Sequence, residues 1–218
     1  NEGPAAFGGI NMWRGVTINK PILSGASLVR AGPLRGGKFL CYAIRNLPDG
    51  MQLINWATEL RQSAWTANDW NKPGRLEDFI HCHEDWHFDW LDVPDFIRRS
   101  EFILEYPMVD RDPIDRWTFG RITLLGDAAH PMYPRGGNGG AKAILDAECI
   151  AGLLRDLPAE QALLAYEAER LPKTSKIVLT NRTAPPDTII ERVDERTGGK
   201  PFDRIEDVIS EAEMIEIS

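Results

Sequence analysis

GDAAHPMYPRGGNGGAKAILDA, residues 126–147, is the stretch from which the fold of this chain is read. The segment just ahead of it, residues 121–125 (RITLL), is rich in apolar and β-branched side chains, as in a buried strand, and stops abruptly at Gly126 and Asp127. Pro131 and Pro134 stiffen a turn, and Gly136, Gly137, Asn138, Gly139 and Gly140 open the next element. Beyond them Ala143, Ile144, Ala147, Ile150, Ala151 and Leu154 recur at helical spacing. This order sets Asp127 at the carboxyl end of a strand, where open α/β sheets bind their ligands.

A carboxylate in that position suits a polyol hydroxyl better than a phosphate, because like charges repel. The glycines leave backbone N–H groups unshielded at a helix start, where the dipole favours negative charge. Two phosphate-loop patterns fail on the letters. A Walker A loop needs Gly before its Lys and Ser or Thr after it, whereas Lys142 lies between Ala141 and Ala143. A G-x-G-x-x-G begun at Gly137 would need glycine where Lys142 stands. Asp127 is therefore read as a ligand group rather than a turn cap. His130 is expected to hydrogen-bond the backbone rather than act as a base.

The segment resembles the second FAD-binding motif of the class A flavoprotein monooxygenases, the para-hydroxybenzoate hydroxylase-like group. The resemblance implies that Asp127 binds the ribityl chain of FAD and that Pro134 borders the flavin ring and the substrate. It implies further that the Gly136–Gly137–Asn138–Gly139–Gly140 loop lies along the ring, with the N–H groups of Gly139, Gly140 and Ala141 at the pyrimidine edge. Physics agrees, since reduction places negative charge at that edge and a helix N-terminus stabilises it. Residues 10–17 (INMWRGVT), Trp86-x-Phe88-x-Trp90 and Tyr166-Glu167-x-x-Arg170-x-Pro172 also look like this family. Asn181-Arg182-x-x-Pro185-Pro186-Asp187 resembles the salicylate and phenazine hydroxylase branch.

What the resemblance implies about activity is hydroxylation of a small aromatic substrate, with NAD(P)H reducing the FAD and O2 supplying the oxygen atom. Tyr42 and Trp56 join Pro134 as expected substrate contacts. No catalytic acid or base is assigned. The family's G-x-G-x-x-G, which holds the ADP moiety, is absent, and so is the Asp-Gly motif that lies upstream in the family. An upstream segment carrying them is expected as a partner, and a chain without it should hold FAD weakly and be inactive by itself. An epoxidase, a halogenase-like enzyme or an oxidase would share the same loop.

The first third of the chain reads as antiparallel sheet, with strands near 10–18, 27–30, 39–44 and 52–58. Between the last two, residues 46–50 (NLPDG) signal a hairpin turn. Along 52–57 both faces are partly apolar, so both are expected to be covered. Helical turns are expected over 76–85 and 93–99, the latter with Pro94 in its first turn, followed by a strand over 102–106. A helix should begin near Pro158 and be kinked or interrupted at Pro172. The last forty residues are charged and read as a short peripheral helix and tail. Residues 1–105 are thus expected to form the substrate-binding sheet domain, and 106–218 the C-terminal part of the FAD domain. The fold class is α/β (α+β).

A composition of 43% hydrophobic and 27% charged residues supports a real core and argues against disorder. The net charge of −8 and the lack of a basic stripe disfavour nucleic acid as a partner. Cys41, Cys82 and Cys149 are far apart and odd in number, which fits a reducing cytoplasm better than a disulfide framework. No apolar run approaches the roughly 20 residues a membrane helix needs. The first residues, Asn1 and Glu2, read as the middle of a longer chain, and a homodimer is compatible with the reading.

Two rivals stand beside it. One is a non-catalytic or truncated flavoprotein fragment that binds no cofactor alone. The other is a metal-binding module on His81, His83 and His87, since His83 and His87 have the spacing of ligands on one helical face. The bland account of that segment is a polar helix face anchored by Trp86 and Trp90. Trp65 and Trp70 sit among Asp, Asn and Arg residues, and most of the seven tryptophans are read as core.

Overall fold

The computed structural model describes residues 3–63, 72–134, 137–183 and 187–217. Trp65, Trp70, Arg135, Gly136, Pro185 and Pro186 lie outside the described residues. The chain divides into two compact units, residues 9–107 with 187–218, and residues 1–8 with 108–186.

The first unit is built on antiparallel strands. β1 (Ala6–Asn19), β2 (Leu28–Ala31), β3 (Lys38–Asn46), β4 (Gln52–Arg61), and β7 (Ile103–Asp110) form one sheet in the order β2-β3-β4-β1-β7. The NLPDG turn forms as expected: Gly50 N–H donates to Leu47 O, and Gly50 takes a φ of 80°. Register follows from alternation. Tyr42 pairs with Asn55 and Asn55 with Val16, while Cys41 pairs with Trp56 and Trp56 with Gly15. Tyr42 and Trp56 therefore lie on opposite faces.

The Trp56 face carries the main core, with Trp13, Phe39, Ile54, Phe79, Phe96 and Ile97 all buried. Trp13 stacks on Phe79 at 5.4 Å between ring centroids, and Trp56 meets Phe79 at 5.9 Å. Burying Phe79 or Phe96 contributes roughly 1.5–3 kcal/mol each. Gly15 makes this packing possible, since a Cβ there would lie 2.7 Å from the Trp56 ring. The helical expectation over 76–85 resolves into two short 3-10 turns, Leu76–Asp78 and Ile80–Cys82. A two-residue hairpin follows, β5 (His87–Phe88) and β6 (Leu91–Asp92), and then α1 (Val93–Arg98). Asp92 caps α1 by accepting from Asp95 N, and Pro94 sits in its first turn.

Placing all of 106–218 in one domain needs correction at the tail. α4 (Thr188–Thr197) and α5 (Glu211–Ile217) group with the sheet unit. The reason is electrostatic. Lys38, buried, sits 3.1 Å from Glu59 and 2.7 Å from Asp187, and Glu191 accepts from Leu34 N. Arg35 adds an ion pair with Asp194.

The second unit contains β8 (Thr118–Phe119), β9 (Ile122–Thr123), α2 (Asn138–Asp156) and α3 (Ala159–Thr183). The expected buried five-residue strand at 121–125 is here only the two-residue β9, with Ile122 69% exposed. Among the described residues only β8 pairs with β9, and a strand is buried only when neighbours cover it. α3 runs through Pro172 without interruption, so of the expected kink or interruption the interruption does not occur. Trp117, Ala129 and Tyr166 form the centre of this unit, with Leu124, Cys149, Ile150 and Leu153 packed around them.

Candidate functional site

Among the described residues, the Gly126–Ala147 segment folds as a 3-10 turn (Gly126–Ala128), irregular chain up to Pro134 and, from Asn138, the start of α2. Gly126 takes a φ of 60°, which an L side chain rarely adopts, and a Cβ there would press within 3.2 Å of Ala143 Cβ. Its carbonyl accepts from the N–H groups of Ala129 and His130. The turn is thus tight and lies directly on α2.

The start of α2 is open. Its N-cap, Gly137, is left-handed at φ 67° and offers no side-chain acceptor to the first-turn N–H groups. A Cβ at Gly137 or Gly140 would meet nothing within 4 Å. A Cβ at Gly139 would lie 3.7 Å from Asp127 Oδ1, so the carboxylate stands beside the helix start. Asp127, Pro134, Gly140 and Ala141 are exposed, and Asn138 and Gly139 half-buried. Six of the expected cofactor residues, Asp127, Gly137, Asn138, Gly139, Gly140 and Ala141, therefore lie on one short arc of chain. Pro134 ends the described loop just before them, and Gly136 lies outside the described residues. An exposed carboxylate beside a helix start whose N-cap supplies no side-chain acceptor can accept hydrogen bonds from hydroxyls, while the helix start favours an anionic or carbonyl edge. That donor set fits the ribityl chain and ring edge of a flavin.

The support beneath this arc was not anticipated. Asp146, wholly buried on α2, accepts from His130 Nε2 at 2.6 Å, Gly126 N at 3.2 Å and Arg170 Nε at 2.8 Å. Burial alone would raise its pKa, but these donors outweigh it and hold the carboxyl below its ordinary value. His130 thus bonds a carboxylate, not the backbone partner expected for it. Its Nδ1 is buried without a partner. Tyr133, also unremarked in the sequence, is buried in the loop, and its hydroxyl donates to Ala6 O.

The Tyr166-Glu167-x-x-Arg170 element explains itself as the other half of this support. Tyr166 donates to Leu124 O at 3.2 Å, and Glu167 Oε2 accepts from Trp117 N and Thr118 N. Burial first, and Asp146 second, push the Tyr166 phenol up, so it stays a neutral donor. At the far end of α3, Arg182 forks onto both oxygens of Asp110 and reaches Asp112.

The expected substrate contacts are not brought together. Trp56 is fully buried, its indole N–H donating to Ser100 Oγ at 2.6 Å. Tyr42 is half-buried on the opposite face and lines an open cleft of about 450 Å³ with Ser27, Leu28 and Arg45. On the Tyr42 face, Arg14 donates to Asn55 at 2.5 Å. The metal reading is not assembled either. His83 is buried with Nε2 2.7 Å from Thr58 Oγ1, and its pKa is lowered to about 4, by burial first and His81 second. His87 instead begins β5 and pairs with Asp92. Among the described residues no three His, Cys, Asp or Glu side chains gather to hold a metal. No described helix is long and apolar enough to cross a membrane.

Comparison with known proteins gives the following. Residues 33–181 match the FAD binding domain family. The chain is 46% identical over 179 residues to phenazine 1,6-dicarboxylic acid hydroxylase of Lysobacter antibioticus, covering 79% of this chain and 44% of that protein. It is 32% identical over 152 residues to 3-hydroxybenzoate 6-hydroxylase of Klebsiella oxytoca, covering 69% and 34%. The chain thus spans less than half the length of the curated relatives it matches. A salicylate hydroxylase substrate complex shares its fold with a TM-score of 0.62 at 20% identity, over all of this chain and 58% of that one. Klebsiella pneumoniae HpxO, solved with FAD and uric acid, does so with a TM-score of 0.63 at 22% identity, over 82% and 44%.

Proposed function

Because this chain belongs to the FAD binding domain family, of the class A flavoprotein monooxygenase kind, we propose that it supplies the flavin-ring part of an enzyme that hydroxylates an aromatic compound. The observation that carries the reading is the Asp127 carboxylate standing beside the uncapped glycine start of α2. When bound, FAD would supply the redox chemistry by which NAD(P)H and O2 hydroxylate the ring.

The chain's own residues bind and orient. Asp127 accepts the ribityl hydroxyls, Pro134 stands beside the ring, and the N–H groups of Gly139, Gly140 and Ala141 stabilise the negative charge that reduction places on the pyrimidine edge. The aromatic substrate is assigned to the Tyr42 face of the sheet rather than the Trp56 face, which offers a ligand no surface. On that face the exposed Arg14, held by Asn55, suits a carboxylate-bearing ring of the kind named for the Lysobacter relative.

The ADP half of the cofactor is assigned to residues outside this chain, which carries no G-x-G-x-x-G. Exposed Ile122, Ile144 and Leu154 support a covering layer from that part. Three free cysteines support a cytoplasmic location.

The test is a visible spectrum and an FAD fluorescence titration of this chain and of a longer protein restored upstream. A bound-flavin spectrum in the longer protein, lost in Asp127→Ala without change in thermal unfolding, is expected. No flavin in either protein would sink the reading.

A further inference from the structure

We propose that His130, Asp146 and Arg170 form a buried positioning network that holds the Gly126–Asp127 turn at a fixed height against α2, and so sets where the Asp127 carboxylate stands relative to the helix start. The proposal rests on the flavin reading of that arc but assigns residues that touch no part of the flavin.

Donors meet both oxygens of Asp146. Asp146 lies two turns down α2 from Gly139, with none of its surface exposed. One of its oxygens takes both the Gly126 N–H at 3.2 Å and His130 Nε2 at 2.6 Å, and the other takes Arg170 Nε at 2.8 Å from α3. His130 and Arg170 are themselves buried, 3% and 7% exposed. Three donors on one buried carboxylate are more than its charge needs for simple neutralisation, and one of them is the backbone of the residue preceding Asp127. The turn closes back on itself through Ala129 N and His130 N, both donating to Gly126 O. The network therefore fixes both ends of the turn, and Asp127 is carried between them toward Gly139. Buried anions with fully directional donors are stiff, because any shift leaves a charge uncompensated in a medium that solvates it poorly.

The test uses the natural protein that contains this chain, with and without its FAD, in three variants. His130→Leu removes the donor, His130→Gln keeps an N–H near the position of Nε2, and Asp146→Asn keeps the shape while removing the charge. Without FAD, hydrogen exchange at residues 126–130 and in the first turn of α2 is expected to quicken in His130→Leu and Asp146→Asn. Exchange in β3 and β4 should not change. With FAD, both variants should bind roughly ten- to hundredfold more weakly, the effect of losing one charge-assisted hydrogen bond, and His130→Gln should recover most of the affinity. If His130→Leu does not fold, Asp146→Asn against His130→Gln carries the comparison. Equal FAD affinity in wild type and Asp146→Asn would overturn the positioning role while leaving the flavin reading intact. A wild-type protein that holds no flavin would overturn both.

Discussion

Gly140→Ala separates what the glycine start of α2 does for the fold from what it does for a ligand. Gly140 is exposed, its φ is not in the left-handed region, and an added Cβ meets nothing within 4 Å. Alanine should therefore be accepted and should stabilise the helix by roughly 0.5–1 kcal/mol. In a chain of this size that raises Tm by about 1–4 °C. The same methyl group occupies the space in front of the first-turn N–H groups, where the flavin edge is proposed to lie. Pushing the ligand off one such contact costs about 1.5–3 kcal/mol, which is roughly ten- to hundredfold in Kd. Gly152→Ala is the matched control. It lies in the same helix, far from the glycine start, and its Cβ would meet only Arg155 Nη2 at 3.9 Å. Thermal unfolding and FAD titration of both variants should show two stabilised proteins, of which only Gly140→Ala loses affinity. If Gly140→Ala binds FAD as tightly as Gly152→Ala, the helix start is a turn and not a ligand site.

Two further outcomes follow from buried polar groups. His83 is neutral when folded, with its pKa lowered from 6.5 to about 4. The unfolded chain takes up the proton first, so stability present above pH 6.5 is lost as pH falls toward 4, by on the order of 3 kcal/mol in all. Urea midpoints at pH 7.5 and 4.5 should fall further in wild type than in His83→Gln, and equal falls would remove His83 as the cause. Glu167→Ala strips the acceptor from Trp117 N and Thr118 N and should destabilise the chain by about 1–3 kcal/mol, with Glu167→Gln nearer wild type. An unchanged denaturation midpoint in Glu167→Ala would contradict the pinning of β8 by α3.

The elements legible in the sequence were those whose cause is local. The β3–β4 hairpin announces itself in Pro48, Asp49 and Gly50, and α1 in Pro94. The glycine run announces the start of α2 in the same way. Tertiary partners were not legible. His83 and His87 share a helical spacing, but one ends a 3-10 turn and the other begins a strand, so their periodicity had no helix to act on. Trp56 is aromatic and lies on a sheet, as a substrate contact should, yet alternation alone does not say which face the short helices will cover. Asp146 sits twenty residues from Gly126, and only the fold brings the carboxylate to that N–H. The available hint was a charged residue among Ala143, Ala147 and Ile150 on a helix otherwise read as core, with an arginine in the next helix to meet it.

The same helix shows why periodicity misjudged its inward side. Ala143, Ile144, Ala147, Ile150, Ala151 and Leu154 define one apolar stripe in the sequence, whereas the side packed on Trp117 and Tyr166 carries Asp146, Cys149, Ile150 and Leu153. Ile144 is 71% exposed and Leu154 46%. A surface helix has one apolar stripe, and a helix apolar around most of its girth belongs between two layers. β9 repeats the pattern, with Thr123 bonded inward to Thr118 while Ile122 faces out. Two independent elements, one a strand and one a helix, thus leave apolar side chains bare in the unit that holds the proposed flavin arc. That is the surface a FAD-binding domain would cover with its dinucleotide-binding strands and helices, and it makes the proposed division of the cofactor site a matter of packing as well as of motif.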